Sequence, residues 1–140
     1  MPFYRSFSLT RGDHFYTTDA FDFMNAIQNR GYIYEGVEGF IFPSFQRGTI
    51  PLFRMWNPSN AVHLYTTDEG ERMNARNLGY RDDRLAGFVY PGRVCDAIPL
   101  FRMVRGRDRL YTTSATEQNW AKREGYVSDG IAAWVLPTGD

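Results

Sequence analysis

His63-Leu64-Tyr65-Thr66-Thr67 decides how this chain is read, because it has two counterparts. They are His14-Phe15-Tyr16-Thr17-Thr18 and Arg109-Leu110-Tyr111-Thr112-Thr113. The three tyrosines stand 49 and 46 residues apart, a near-constant period that marks a repeat architecture. The flanks repeat too. Pro2-Phe3-Tyr4-Arg5, Pro51-Leu52-Phe53-Arg54 and Pro99-Leu100-Phe101-Arg102 precede the motif, and Gly31-Tyr32, Gly79-Tyr80 and Gly125-Tyr126 follow it. Each copy closes on an apolar run and a proline: Phe40–Pro43, Phe88–Pro91 and Trp134–Pro137. The chain is one domain, residues 1–140, made of units spanning about 2–43, 51–91 and 99–137.

Within a unit the residue types predict a strand, a turn and a second, antiparallel strand. Proline is tolerated at a strand's first residue. Thr10–Asp13, Asn57–Asn60 and the shorter Arg105-Gly106-Arg107 supply hairpin-turn chemistry, and tyrosine with β-branched threonine suits a half-buried strand. A helix follows. Asp68 with Glu71 and Ser114 with Glu117 match the capping box, and Asp19 with Asp22 is a weaker version. Gly31, Gly79 and Gly125 stand where a left-handed residue ends a helix. Two closing strands per unit are expected, separated in the first copy by Gly36–Gly39. Four strands in each of three units predict twelve.

Composition bounds the rest. A globule of 140 residues buries roughly 70% of its unfolded surface, and 16% aromatic residues furnish a core that needs no disulfide or metal. The single cysteine, Cys95, has no intramolecular partner and no metal-ligand neighbours, and reads as an inert thiol. Zero formal net charge argues against a general nucleic-acid or membrane-surface binder. No apolar run approaches a transmembrane length, so no membrane insertion is expected. The N-terminus carries no recognisable signal peptide, which predicts a cytoplasmic protein or one secreted by another route.

Three units that cannot each cover an apolar face must close on one another. The Pro-Leu-Phe-Arg … His-Phe-Tyr-Thr-Thr … Gly-Tyr pattern, in triplicate from Pro2 to Pro137, resembles the Tyr-Thr-Thr-repeat β-trefoil domains of fungal and bacterial proteins. The resemblance implies a mainly β fold, a β-trefoil with pseudo-threefold symmetry and one short helix per repeat. By fold-level analogy it implies a lectin-like defence protein or, alternatively, a β-trefoil protease inhibitor acting through a surface loop.

No catalytic constellation is found: there is no nucleophile elbow, no zinc-binding helix motif and no phosphate loop. Neither catalytic residues, metal ligands nor cofactors are expected. The recurring Arg5/Arg54/Arg102 and the Tyr-Thr-Thr runs read best as structural, with arginines facing carboxylates inside each unit. The arginine-rich run Arg102–Arg109 reads as a solvated hairpin. For binding, residues on turns are the better candidates. Carbohydrate needs polar groups for vicinal hydroxyls beside an aromatic face. Those requirements select Asp13, His14, Asn57, Asn60, His63, Asp108 and Arg109, the carboxylates Glu35, Asp83 and Asp129, and Trp56 as a stacking platform. The expected activity is glycan or glycoprotein binding at up to three shallow sites, one per repeat and multivalent, with the third differing because Arg109 replaces histidine. The oligomeric state is left open.

Overall fold

A computed structural model describes residues 1–94 and 96–138; Cys95 lies outside the described residues. The elements run β1 (Pro2–Ser8), β2 (Asp13–Thr17), α1 (Ala20–Asn29), β3 (Ile33–Phe40), β4 (Ile50–Asn57), β5 (Val62–Thr66), α2 (Glu69–Asn77), β6 (Arg81–Val89), β7 (Ile98–Arg105), β8 (Asp108–Thr112), α3 (Ala115–Arg123) and β9 (Val127–Val135). The fold is mainly β. Each unit is one antiparallel three-stranded sheet with its opening strand in the middle, ordered β2-β1-β3, β5-β4-β6 and β8-β7-β9. Each also carries one short helix between its second and third strands.

The expected hairpins form. Arg5, Arg54 and Arg102 face Tyr16, Tyr65 and Tyr111 across the ladder in the same register. The helix ends behave as their residues require. Asp19 and Asp68 accept the N–H groups two and three residues on, and Ser114 accepts that of Glu117. Gly79 has φ 96°, and the N–H groups of Gly79 and Tyr80 return to Arg76 and Ala75, closing a Schellman motif. Unit three repeats it through Gly125 and Tyr126. Unit one, one residue longer here, returns Tyr32 to Ala26 instead. Each helix buries a single residue, Ala26, Ala75 or Ala121, on the cluster beneath it, so a small side chain sets the close approach of helix to sheet.

The strand count differs from twelve. The two closing strands expected in each unit are one strand, giving nine among the described residues. Glycines such as Gly36 and Gly39, at φ 118° and 120°, do not end the strand; the ladder shifts register there and continues. A bulge absorbs the extra residue, and glycine lets the strand bend without stopping. Beyond these strands the apolar runs reduce to isolated bridges between units: Phe42 to Phe88, Tyr90 to Trp134 and Phe40 to Leu136. These pair strand ends that would otherwise stand open.

The main core draws on all three units, with Phe3, Tyr16, Leu52, Tyr65, Leu100 and Tyr111 among its members. Burying each leucine contributes about 1.5–3 kcal/mol. At its centre the tyrosines close a cycle. The Tyr65 hydroxyl accepts the Tyr16 N–H at 2.7 Å and donates to the Tyr16 carbonyl at 2.8 Å. Tyr111 does the same to Tyr65, and Tyr16 to Tyr111. The rings meet edge to face at 5.2–5.4 Å. A buried hydroxyl needs a donor and an acceptor, and each tyrosine finds both on the neighbouring motif. Burial raises the pKa of all three phenols, so they remain neutral donors.

Candidate functional site

The polar residues of the repeat gather at the three junctions between units. Each recurring arginine spans a junction. Arg102 offers its fork to Glu71 of unit two at 2.8 Å on both branches, and its Nε to Asp129 of its own unit at 2.9 Å. Arg5 grips Glu117 of unit three at 2.6 Å on both branches. Its Nε lies 2.9 Å from Glu35 as an ion pair that lacks hydrogen-bond alignment. Glu117 and Glu71 belong to the helix first turns read as capping boxes; their carboxylates reach across to the next unit. The structural reading of the arginines is thus seen, with a second acid supplied by the neighbouring helix.

A second set lies deeper. Asp13 accepts the His63 N–H at 2.8 Å, His63 Nδ1 at 2.7 Å and the Tyr32 hydroxyl at 2.6 Å. Asp108 repeats this with His14 and Tyr126. At the remaining junction Val62 stands in the aspartate's place, and Arg109 donates directly to the Tyr80 hydroxyl at 2.9 Å while lying over its ring. The changes from aspartate to valine and from histidine to arginine therefore fall in one junction and compensate each other.

Several candidate residues consequently lie inside. Asp13, His14, Asn57, His63 and Asp108 are buried, and each bonds other protein groups through its side chain, His63 through Nδ1. Asn57 caps its turn through Ser59 and Asn60, which fixes Asn60 in the same turn. Trp56 packs on the His63 ring at 4.6 Å. Glu35, Asp83 and Asp129 stand at the exposed ends of the third strands. The junction chemistry explains why turn-borne residues are not exposed: the hairpin ends point at the neighbouring unit.

One junction is looser. Between units one and two the helix acid is Asp22, a methylene shorter than glutamate, and it meets Arg54 through one branch at 3.3 Å. Asp83, also short, takes Arg54 Nε at 2.7 Å. A cleft enclosing about 160 Å³ opens here, lined by Phe15, Asp22, Asn25, Ala26, Arg30, Tyr32, Arg54, His63, Asp83 and Arg84. The cleft brings together the candidates His63 and Asp83, with Asp13 behind His63. A carboxylate only accepts, so Nδ1 of His63 carries a proton toward Asp13, and Nε2 points away from it. Among the described residues Nε2 has no partner, although the side chain is only 7% exposed. His14 differs: its Nε2 lies 3.3 Å from Glu35. Burial lowers the pKa of His14, but hydrogen bonds from its ring to Asp108 and Glu35 outweigh it and the net shift is upward.

Phe15, Tyr32, Asp22, Asn25, Arg30, Arg54 and Arg84 line this cleft without having been candidates. The signal was departure from the repeat: Asp22 against two glutamates, and Arg84 where the other units carry Gly36 and Gly130. A second hollow beside Thr66, Glu71 and Arg102 has its charged groups already paired to each other. No group of three or more His, Asp, Glu or Cys is placed to hold a metal among the described residues.

Residues 2–136 match the model of the family described as Domain of unknown function (DUF5648). The chain belongs to this family. No curated protein and no solved structure matches it. The resemblance to Tyr-Thr-Thr-repeat β-trefoil lectins is therefore corrected: the family that covers nearly the whole chain is this one, and its description carries no lectin activity. The physical reason is that the residues carrying the resemblance are core and junction residues, which specify packing and not a ligand. Among the described residues no helix is long and apolar enough to cross a membrane.

Proposed function

We propose that this protein binds carbohydrate without catalysing a reaction on it, and that its site is the cleft between units one and two. The observation that carries this reading is His63 Nε2, an oriented polar atom without a protein partner among the described residues, opening into a cleft lined by Phe15, Tyr32 and polar side chains. A pyranose offers vicinal hydroxyls that donate and accept, which suits the polar atoms of this lining. The cleft is smaller than the roughly 300–1,000 Å³ of drug-sized sites, which suits one sugar ring. The proposal narrows three sites to one, because Glu35 faces His14 and Tyr80 engages Arg109 at the other junctions. We also read the three units as closed about one axis in a trefoil-like threefold arrangement. The tyrosine cycle and the three inter-unit bridges support that reading.

Titration calorimetry with a panel of monosaccharides tests the function. The expected result is one site of about 1 mM, near −4 kcal/mol, lost in His63→Ala. Absence of saturable binding to any sugar at tens of millimolar, with inhibition of a protease instead, overturns it in favour of the inhibitor.

A further inference from the structure

We infer that the sugar taken by this cleft is acidic, a uronate-type unit whose carboxylate is held by the cleft's arginines; this rests on the carbohydrate reading above. The carboxylates of the cleft are already committed to the protein. Asp83 accepts from Arg54 Nε, and Asp22 is shared between Arg54 and Arg84. What remains is mostly donors. Arg54 Nη1 makes no hydrogen bond among the described residues, although the side chain is only 4% exposed. Arg30, the last residue of the α1 turn, has no acidic partner among them. The Asn25 oxygen accepts from Asn29, so its amide N–H groups are left to donate.

Of the three arginines in the lining, Arg54 pairs with Asp83 and Asp22, and Arg84 with Asp22 and Asp19, so Arg30 is the one without a carboxylate among the described residues. His63 Nε2 faces these donors across the cleft. A neutral sugar would answer them with hydroxyls alone. A uronate answers them with two charged acceptor oxygens while a ring hydroxyl bonds the imidazole, and charge-assisted hydrogen bonds are roughly twice as strong as neutral ones.

The test compares glucuronate and galacturonate with glucose and galactose, at fixed ionic strength, by NMR titration of the intact protein. Acetate serves as a control for bare anion binding. Arg30, exposed and outside the core, is the residue to change, as Arg30→Gln, because Arg54 variants risk the junction itself. The uronates are expected to bind about tenfold tighter than their neutral parents. Arg30→Gln should erase most of that difference, and added salt should weaken only the uronates. Equal affinity for uronate and neutral parent overturns the acidic inference and leaves the carbohydrate reading standing. Acetate binding as tightly as glucuronate overturns it too, since the sugar ring would then add nothing. If none of the four sugars binds, both fall.

Discussion

The hydroxyl of Tyr65 holds both backbone polar groups of Tyr16, accepting its N–H at 2.7 Å and donating to its carbonyl at 2.8 Å. Two more tyrosines repeat the relationship, and the three units are thereby joined through the middle of their inner strands. Tyr65→Phe removes one hydroxyl and leaves two buried backbone groups of Tyr16 without partners. The expected cost is about 2–4 kcal/mol, read by urea denaturation. A loss below about 0.5 kcal/mol would mean that the cycle does not join the units.

Asp13 and His63 should be coupled as a pair. Asp13→Val leaves the His63 Nδ1 and the Tyr32 hydroxyl unpartnered and is expected to cost about 3 kcal/mol. Adding His63→Arg recreates the valine and arginine of the junction between units two and three, where Arg109 serves Tyr80. The double variant should recover about 1–2 kcal/mol over Asp13→Val in a double-mutant cycle. Strict additivity would break the argument from compensation.

Stability should fall on both sides of a window set by one junction. The folded pKa of His14 lies above its ordinary 6.5, so the folded state holds the proton more tightly than the unfolded. That contribution is complete below pH 6.5 and is lost as pH rises through the raised value. Burial raises the pKa of Glu35, but His14 and Arg5 outweigh it and the net shift is below 4.5. Its contribution is present above pH 4.5 and disappears as pH falls through the lowered value. Denaturation midpoints measured across pH 3–9 should therefore be highest between about 4.5 and 6.5. His14→Gln should flatten the alkaline slope; an unchanged slope would assign it to another group.

Helix ends offer a local check. Ser114→Ala removes the acceptor of the Glu117 N–H and should cost about 1 kcal/mol. Gly79→Ala should cost about 1–2 kcal/mol through its left-handed backbone, since the added Cβ would meet no atom closer than Asn57 at 3.8 Å. Thermal melts of both variants should shift down by a few degrees, with sugar affinity unchanged.

Much of the fold was legible because repetition supplies its own alignment. The hairpins, the N-caps at Asp19, Asp68 and Ser114, and the glycines after each helix follow from local chemistry that each copy states again. The closing strands were misread because Gly36 and Gly39 look like breakers, and a bulge is visible only once a partner strand is paired. The site was less legible for a related reason. Repeated residues such as Asp13, His14 and Asp108 were favoured as binders, whereas repetition here marks what joins the units. Asp22, Asn25 and Arg84, which depart from their counterparts, line the cleft. Val62 and Arg109 carried the same lesson, but their compensation needs the knowledge that residues of different units meet.

The most direct measurement is the long-range proton–nitrogen NMR spectrum of the two imidazoles during titration with glucuronate. His63 Nε2 opens into the cleft, while both ring nitrogens of His14 face carboxylates. The account predicts a saturable shift of His63 Nε2 with His14 unmoved. Saturable sugar binding that leaves His63 unchanged, or that moves His14 instead, would contradict it.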